Sequence, residues 1–198
     1  MKAKVLVIAC GAIARELVRI SKLNQWDHIR FQCLPPKLHN TPERIPEAVR
    51  AMIESKADDY EKVFVAYADC GTGGQLDKVL EDYGIERIPG THCYEFYAGS
   101  DSFNDLAEDE PGSFYLTDFL VRHFERLVIK GLGIDRLPQL IPVYFGNYKR
   151  MVYLAQTDSE KLQAIAREQA EFLQLEYCYR FYGDKPFSQT LKPFVENL

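Results

Sequence analysis

Five cysteines are spread through 198 residues, and three of them stand where chemistry is commonly done. Cys10 closes the apolar run KVLVIA at residues 4–9, Cys70 follows the run KVFVAYA at 62–68, and Cys93 comes five residues after a short run at 85–88. If these runs are parallel strands, all three thiols reach the carboxyl edge of one sheet, where binding crevices form. Helices start at the same edge, and the partial positive charge of their amino-termini favours thiolate over thiol. His92, beside Cys93, adds a nitrogen ligand, while Asp69 and Glu95 add oxygens. The set Cys10, Cys70, Cys93 and His92 suits zinc, which takes mixed sulfur and nitrogen ligands and keeps an open position when catalytic. An iron–sulfur cluster on three cysteines fits as well. Zinc–sulfur bonds of about 2.3 Å require the three sulfurs to stand within roughly 7 Å of one another. Redox-active thiols and plain packing are the competing readings, since no CxxC pair is present. Cys33 and Cys178 fall inside strands, where a cysteine packs as a small apolar residue.

A second feature is the segment Gly71, Thr72, Gly73 and Gly74. Between a strand and a helix, its N–H groups could seat an anion, with Asp69 as a polar anchor for a cofactor. Such glycines equally serve a tight turn. The segment matches neither the Walker A pattern nor GxGxxG, which disfavours a nucleoside triphosphatase. His39 and Asn40, in the loop after the second strand, could face the same crevice or cap the helix that follows.

The elements that must position these groups read as alternating strands and helices. Strands are expected at 4–9, 29–34, 62–68, 85–88, 151–156 and 176–182. Helices are expected after Gly11, after Thr41 and Pro42, after Gly74, at 91–97, at 114–130 with Ser113 as N-cap, at 137–148 and at 159–173. The acidic stretch 100–112 reads as a loop or hinge. Runs this apolar are buried on both faces, which implies right-handed crossovers and an α/β fold: three layers, a mainly parallel sheet of five or six strands with helices on both faces, Rossmann-like. The expected organisation is a single α/β domain over residues 1–198, or two lobes divided near 100–113.

Composition narrows the partners. With 24 basic and 29 acidic residues the net charge is -5, which excludes a general affinity for nucleic acid. At 46% hydrophobic with 12 Phe and 12 Tyr, the chain can bury a core. No apolar run reaches membrane-span length, and the first residues read as a buried strand and not an export signal. Cysteines in odd number and wide spacing point to a reducing cytoplasm. Tyr144, Phe145 and Tyr148 could line a pocket or a homo-oligomer contact, with core packing as the alternative.

Six strings taken together resemble one family. They are ACGAIAREL, LHNTPERIP, FVAYADCGTGG, RIPGTHCYEFYAG, FYLTDFLVRHFERLVIKGLG and YFGNYKRMVYLAQT, and they span nearly the whole chain. They are similar to the bacterial and archaeal domain-of-unknown-function family 1638. That resemblance implies a setting beside corrinoid-dependent methyltransferases of the methylamine type, hence one-carbon metabolism, with a corrinoid protein or methyltransferase as partner. It brings no catalytic residues with it, and this chain lacks the DxHxxG string of a corrinoid carrier.

Three functions follow as expectations. The first is a zinc or iron–sulfur protein in corrinoid-linked methyl transfer, either a metal-dependent methyltransferase or a corrinoid-reducing accessory protein. Zinc would activate a thiol or amine acceptor. The second is a small-molecule transferase that binds S-adenosylmethionine or a nucleotide on residues 71–74. The third is a non-catalytic partner of a corrinoid methyltransferase.

Overall fold

The computed structural model describes residues 4–196. The chain divides into two compact units, the first formed up to Cys93 and again from Ser188, the second by Tyr94–Phe187.

In the first unit, strands β1 (Val5–Cys10), β2 (Ile29–Leu34), β3 (Lys62–Ala66) and β4 (Glu86–Arg87) form one parallel sheet in the order β2-β1-β3-β4. Every residue of β1 is fully buried, as expected of a strand covered on both faces. Helices α1 (Ala14–Leu23), α2 (Ile45–Lys56) and α3 (Gln75–Glu81) provide the crossovers. From β1 the chain moves outward to β2 and then returns to the other side of β1 to lay down β3. Right-handed connections therefore put α1 and α2 on opposite faces, and the order reverses between β1 and β3. In open parallel sheets ligands bind at such a reversal, outside the carboxyl ends of the strands.

The second unit begins with α4 (Tyr94–Ala98) and α5 (Ser100–Asp109), then builds a parallel sheet of β5 (Ser113–Thr117), β6 (Arg150–Ala155) and β7 (Glu176–Phe181) in that order. Between these strands lie α6 (Asp118–Phe124), a π turn at Glu125–Ile129, α7 (Ile141–Phe145) and α8 (Glu160–Phe172). The last helix, α9 (Lys185–Val195), returns the chain to the first unit, where Phe194 stacks on Phe64 with ring centroids 4.3 Å apart.

The parallel α/β reading holds, but the strands divide between sheets of four and three instead of forming one of five or six. Two local features account for this. The edge strand β4 is two residues long and runs into Pro89 and Gly90, so that sheet ends there. Ser113, expected to cap a long helix, instead opens β5: its hydroxyl donates to the Glu110 carbonyl (2.6 Å) and accepts from Arg150 Nε (2.8 Å). The helix cap is Thr117, whose side chain accepts from Leu120 N. The acidic stretch read as a loop is largely α5, with Phe103 buried and most of its acidic residues turned outward. No helix among the described residues is long and apolar enough to cross a membrane.

Candidate metal centre

All the residues of the candidate centre lie in the first unit, beyond the carboxyl ends of β1, β2, β3 and β4. Cys10 is the last residue of β1 and fully buried. Its Sγ accepts the Ala12 N–H at 3.3 Å, capping the short turn that leads into α1. Gly11 keeps a crowded place: a Cβ there would lie 3.0 Å from Pro36 Cδ and 3.1 Å from the Leu34 carbonyl. That close approach lets the single helical turn after β2 (Pro36–Asn40) lie against the end of β1 and brings His39 to Cys10, with Nδ1 3.6 Å from Sγ. Asn40, at the end of the same turn, is exposed.

Beyond β3 the backbone continues as a zipper between two loops. Asp69 N donates to the Gly90 carbonyl (3.1 Å) and Cys70 N to the Thr91 carbonyl (2.9 Å). Arg87 holds the second loop from the other side, with Nε and Nη2 on the Asp77 carboxylate at 2.6 and 2.9 Å and Nη1 on the Ile88 and Gly90 carbonyls. The result sets Cys70 Sγ 3.0 Å from Cys93 Sγ. One ring nitrogen of His39 and these two sulfurs all lie within 4.8 Å of one another, a compact three-ligand set that could hold a metal ion.

The electrostatics separate the two thiols. The Cys93 thiol donates to Cys70, and this, more than any other influence, holds Cys70 down to about 5; His39 adds to the effect, and burial opposes it. Cys93 is pushed well above the ordinary thiol range, first by that hydrogen bond and then by burial. Burial alone would lower His39, but its hydrogen bonds to Cys10 and Cys70 override this and raise it to about 10. Without a metal these shifts favour the charge on Cys70 and the proton on Cys93 and His39. Cys70 also has left-handed backbone, at φ 50°, which costs about 1 kcal/mol or more in a residue with a Cβ and is typical of functional sites.

Tyr67, the first residue beyond β3, was not singled out by sequence because it reads as one more aromatic in an apolar run. Its side chain is fully buried, and its ring stacks on His39 at 6.3 Å with an interplanar angle of 19°. Its hydroxyl lies beside Cys10. Burial first, then the charges of Cys10 and Cys93 and a hydrogen bond to Cys10, push the phenol far above its usual range.

Other expected residues fall differently. His92 is exposed and outside the compact set, where the nitrogen comes from His39. A histidine next to a ligand in sequence points elsewhere, whereas the turn after β2 folds back over the edge. Cys10 reaches the set through His39. The glycine segment does not present an open anion seat: the N–H groups of Gly73 and Gly74 close on the Asp69 carboxylate at 3.1 and 2.8 Å, and Thr72 Oγ1 donates to it at 2.8 Å. Those bonds, the Gly74 one foremost, hold Asp69 below the usual carboxylate range, so the loop carries its own anion. Gly71, Gly73 and Gly74 all have positive φ, the conformation this closure needs. Cys33 is exposed on β2, and Cys178 lies on β7 in the second unit, as Glu95 lies on α4.

Residues 33–191 match the model of a family described as a protein of unknown function, DUF1638, and the chain belongs to that family. No curated protein and no solved structure matches it.

Proposed function

We propose that this member of the family is a metal-site protein that binds a single zinc-like ion through Cys70, Cys93 and His39, with an open fourth position for substrate. The observation that carries the reading is the 3.0 Å separation of Cys70 and Cys93 Sγ beside an imidazole nitrogen. Two sulfurs on one tetrahedral ion with bonds of about 2.3 Å stand roughly 3.8 Å apart, a short step from this spacing. In a four-iron cluster each thiolate holds a different iron, which requires wider sulfurs; the close pair therefore favours one ion over a four-iron cluster.

The bound ion would lower the pKa of a thiol or amine acceptor. The protein's part is to hold the ligands. Cys10 orients the His39 ring through Nδ1, an outer contact of the kind that tunes ligand basicity. Arg87 and the two-loop zipper fix Cys93 against Cys70. The site stands at the switch point, where ligands bind in open parallel sheets. We further propose corrinoid-linked methyl transfer as the setting, with a corrinoid protein or methyltransferase as partner; the sequence resemblance supports this part.

Anaerobic purification with elemental analysis and an ultraviolet–visible spectrum tests the centre. About one zinc per chain and no visible absorption are expected; an iron–sulfur chromophore, or protein that takes up no metal, overturns it.

A further inference from the structure

We infer that Cys70 and Cys93 form a reversible dithiol: exchange with the disulfide of a small thiol closes them into an intramolecular disulfide, and closure expels the bound ion. The inference goes beyond the metal-site reading, because it makes metal and oxidant compete for the same two sulfurs. Both thiols are free and half-buried, and their Sγ atoms stand 3.0 Å apart. A disulfide bond of about 2.05 Å requires an approach of only about 1 Å more. The two cysteines lie 23 positions apart in sequence, on different loops, and those loops are fastened to each other. Asp69 N and Cys70 N donate to the Gly90 and Thr91 carbonyls, while Arg87 ties the second loop to Asp77 and holds the Gly90 carbonyl. Bringing two such positions together in a loose chain costs closure entropy. Here the fold has already closed the loop. The other cysteines are placed differently: Cys10 is fully buried with its sulfur on the Ala12 N–H, Cys33 is exposed on β2, and Cys178 lies in the second unit.

The exchange balances with the small disulfide, R–S–S–R, as its oxidant. One cysteine, as thiolate, attacks a sulfur of R–S–S–R; that bond breaks, its electron pair leaves on one RS⁻, and a mixed disulfide forms on the protein. The neighbouring cysteine then attacks the protein sulfur of the mixed disulfide and expels the second RS⁻. In metal-free protein the two cysteine protons end on the two departing thiolates. In the loaded protein the ion leaves in place of those protons. The protein loses two electrons and R–S–S–R gains them. Thiolate, not disulfide, is the metal ligand, so of the compact set only the His39 imidazole remains after closure.

The test incubates the full-length protein, zinc-loaded and metal-free, with 2-hydroxyethyl disulfide. Alkylation with peptide mapping locates the cysteine links, and a chromogenic chelator follows released zinc. The expected result is a Cys70–Cys93 link, two equivalents of 2-mercaptoethanol per chain, and zinc loss in step with the link, all reversed by dithiothreitol and fresh zinc. Cys93→Ser should instead stop at a mixed disulfide on Cys70. In wild type, thiols that do not react, mixed disulfides that persist, or a link formed while zinc stays bound overturn the inference and leave the metal centre standing. A link that forms in protein unable to take up zinc overturns the metal centre, and with it the release step, but keeps the exchange.

Discussion

The carboxyl edges of the two sheets are topologically comparable and chemically opposite. In the second unit, Asp118 is almost completely buried just past β5, and its carboxylate is held by several donors. Its Oδ1 accepts from Tyr153 Oη (2.7 Å) and from the Gln156 N–H (3.1 Å), Arg122 stands 3.6 Å from Oδ2, and its own N–H donates to Gln156 Oε1 (3.0 Å). Gln156 Nε2 in turn donates to the Leu154 carbonyl. The edge of the first unit holds sulfurs in near contact, a left-handed cysteine and a fully buried phenol beside Cys10. Strand order separates them further: β5-β6-β7 runs in sequence with no reversal, while β2-β1-β3-β4 reverses at the site. Polar residues at a strand end are thus no sign of a ligand by themselves. What differs at the first edge is a close pair of sulfurs beside an imidazole, at a reversal of strand order.

If that contrast is right, substitutions at the two edges should fail in different ways. The largest effect is expected from Asp118→Ala, which strands Tyr153, Gln156 and Arg122 in a buried setting and should cost about 4 kcal/mol in chemical denaturation. Its metal content per folded chain should not change. Cys93→Ser should do the reverse, lowering zinc affinity by more than about a hundredfold in a chelator competition while stability of the metal-free protein moves by under about 1 kcal/mol. Should Asp118→Ala lose metal, or Cys93→Ser unfold, the division of roles between the edges is broken.

A pH experiment sharpens the picture of the first edge. In metal-free protein the Cys70 pKa lies below that of an ordinary thiol, so its contribution to stability is present at high pH and is lost as pH falls through about 5. His39 is displaced upward, so its contribution is complete at low pH and is lost as pH rises through about 10. The ion pair therefore persists between those limits. Alkylation of Cys70 by iodoacetamide should keep most of its rate down to pH 6 and fall by half near pH 5; His39→Ala should move the midpoint upward. The smallest effect is Thr117→Ala, which removes the cap of α6 at the second edge and should cost about 1 kcal/mol in thermal unfolding, with no effect on alkylation.

What sequence could reveal depended on periodicity and position. The runs that became β1, β3 and β6 are unbroken apolar stretches, so strands buried on both faces were readable, and with them the edge on which Cys10 and Cys70 lie. The strand β5 was hidden because its SFYLT leads directly into a helical pattern, and its identity is decided by pairing with β6, a partner distant in sequence. His39 was placed at the crevice but not among the ligands, since its approach depends on how closely Pro36 can lie over Gly11. Tyr67 was invisible for a different reason: nothing in an apolar run distinguishes a phenol that stacks on a candidate ligand from one that packs in a core. The glycine segment carried a misleading signal, because the anion it holds is the neighbouring Asp69.

The left-handed backbone at Cys70 has an evolutionary consequence. Glycine is the residue this conformation prefers, and it would relieve roughly 1 kcal/mol of strain relative to alanine. Selection for thermal robustness alone would drift toward glycine at this position and erase the thiolate on the way. Keeping a sulfur there is a trade of stability for chemistry, and a lineage released from that chemistry should show the exchange here early.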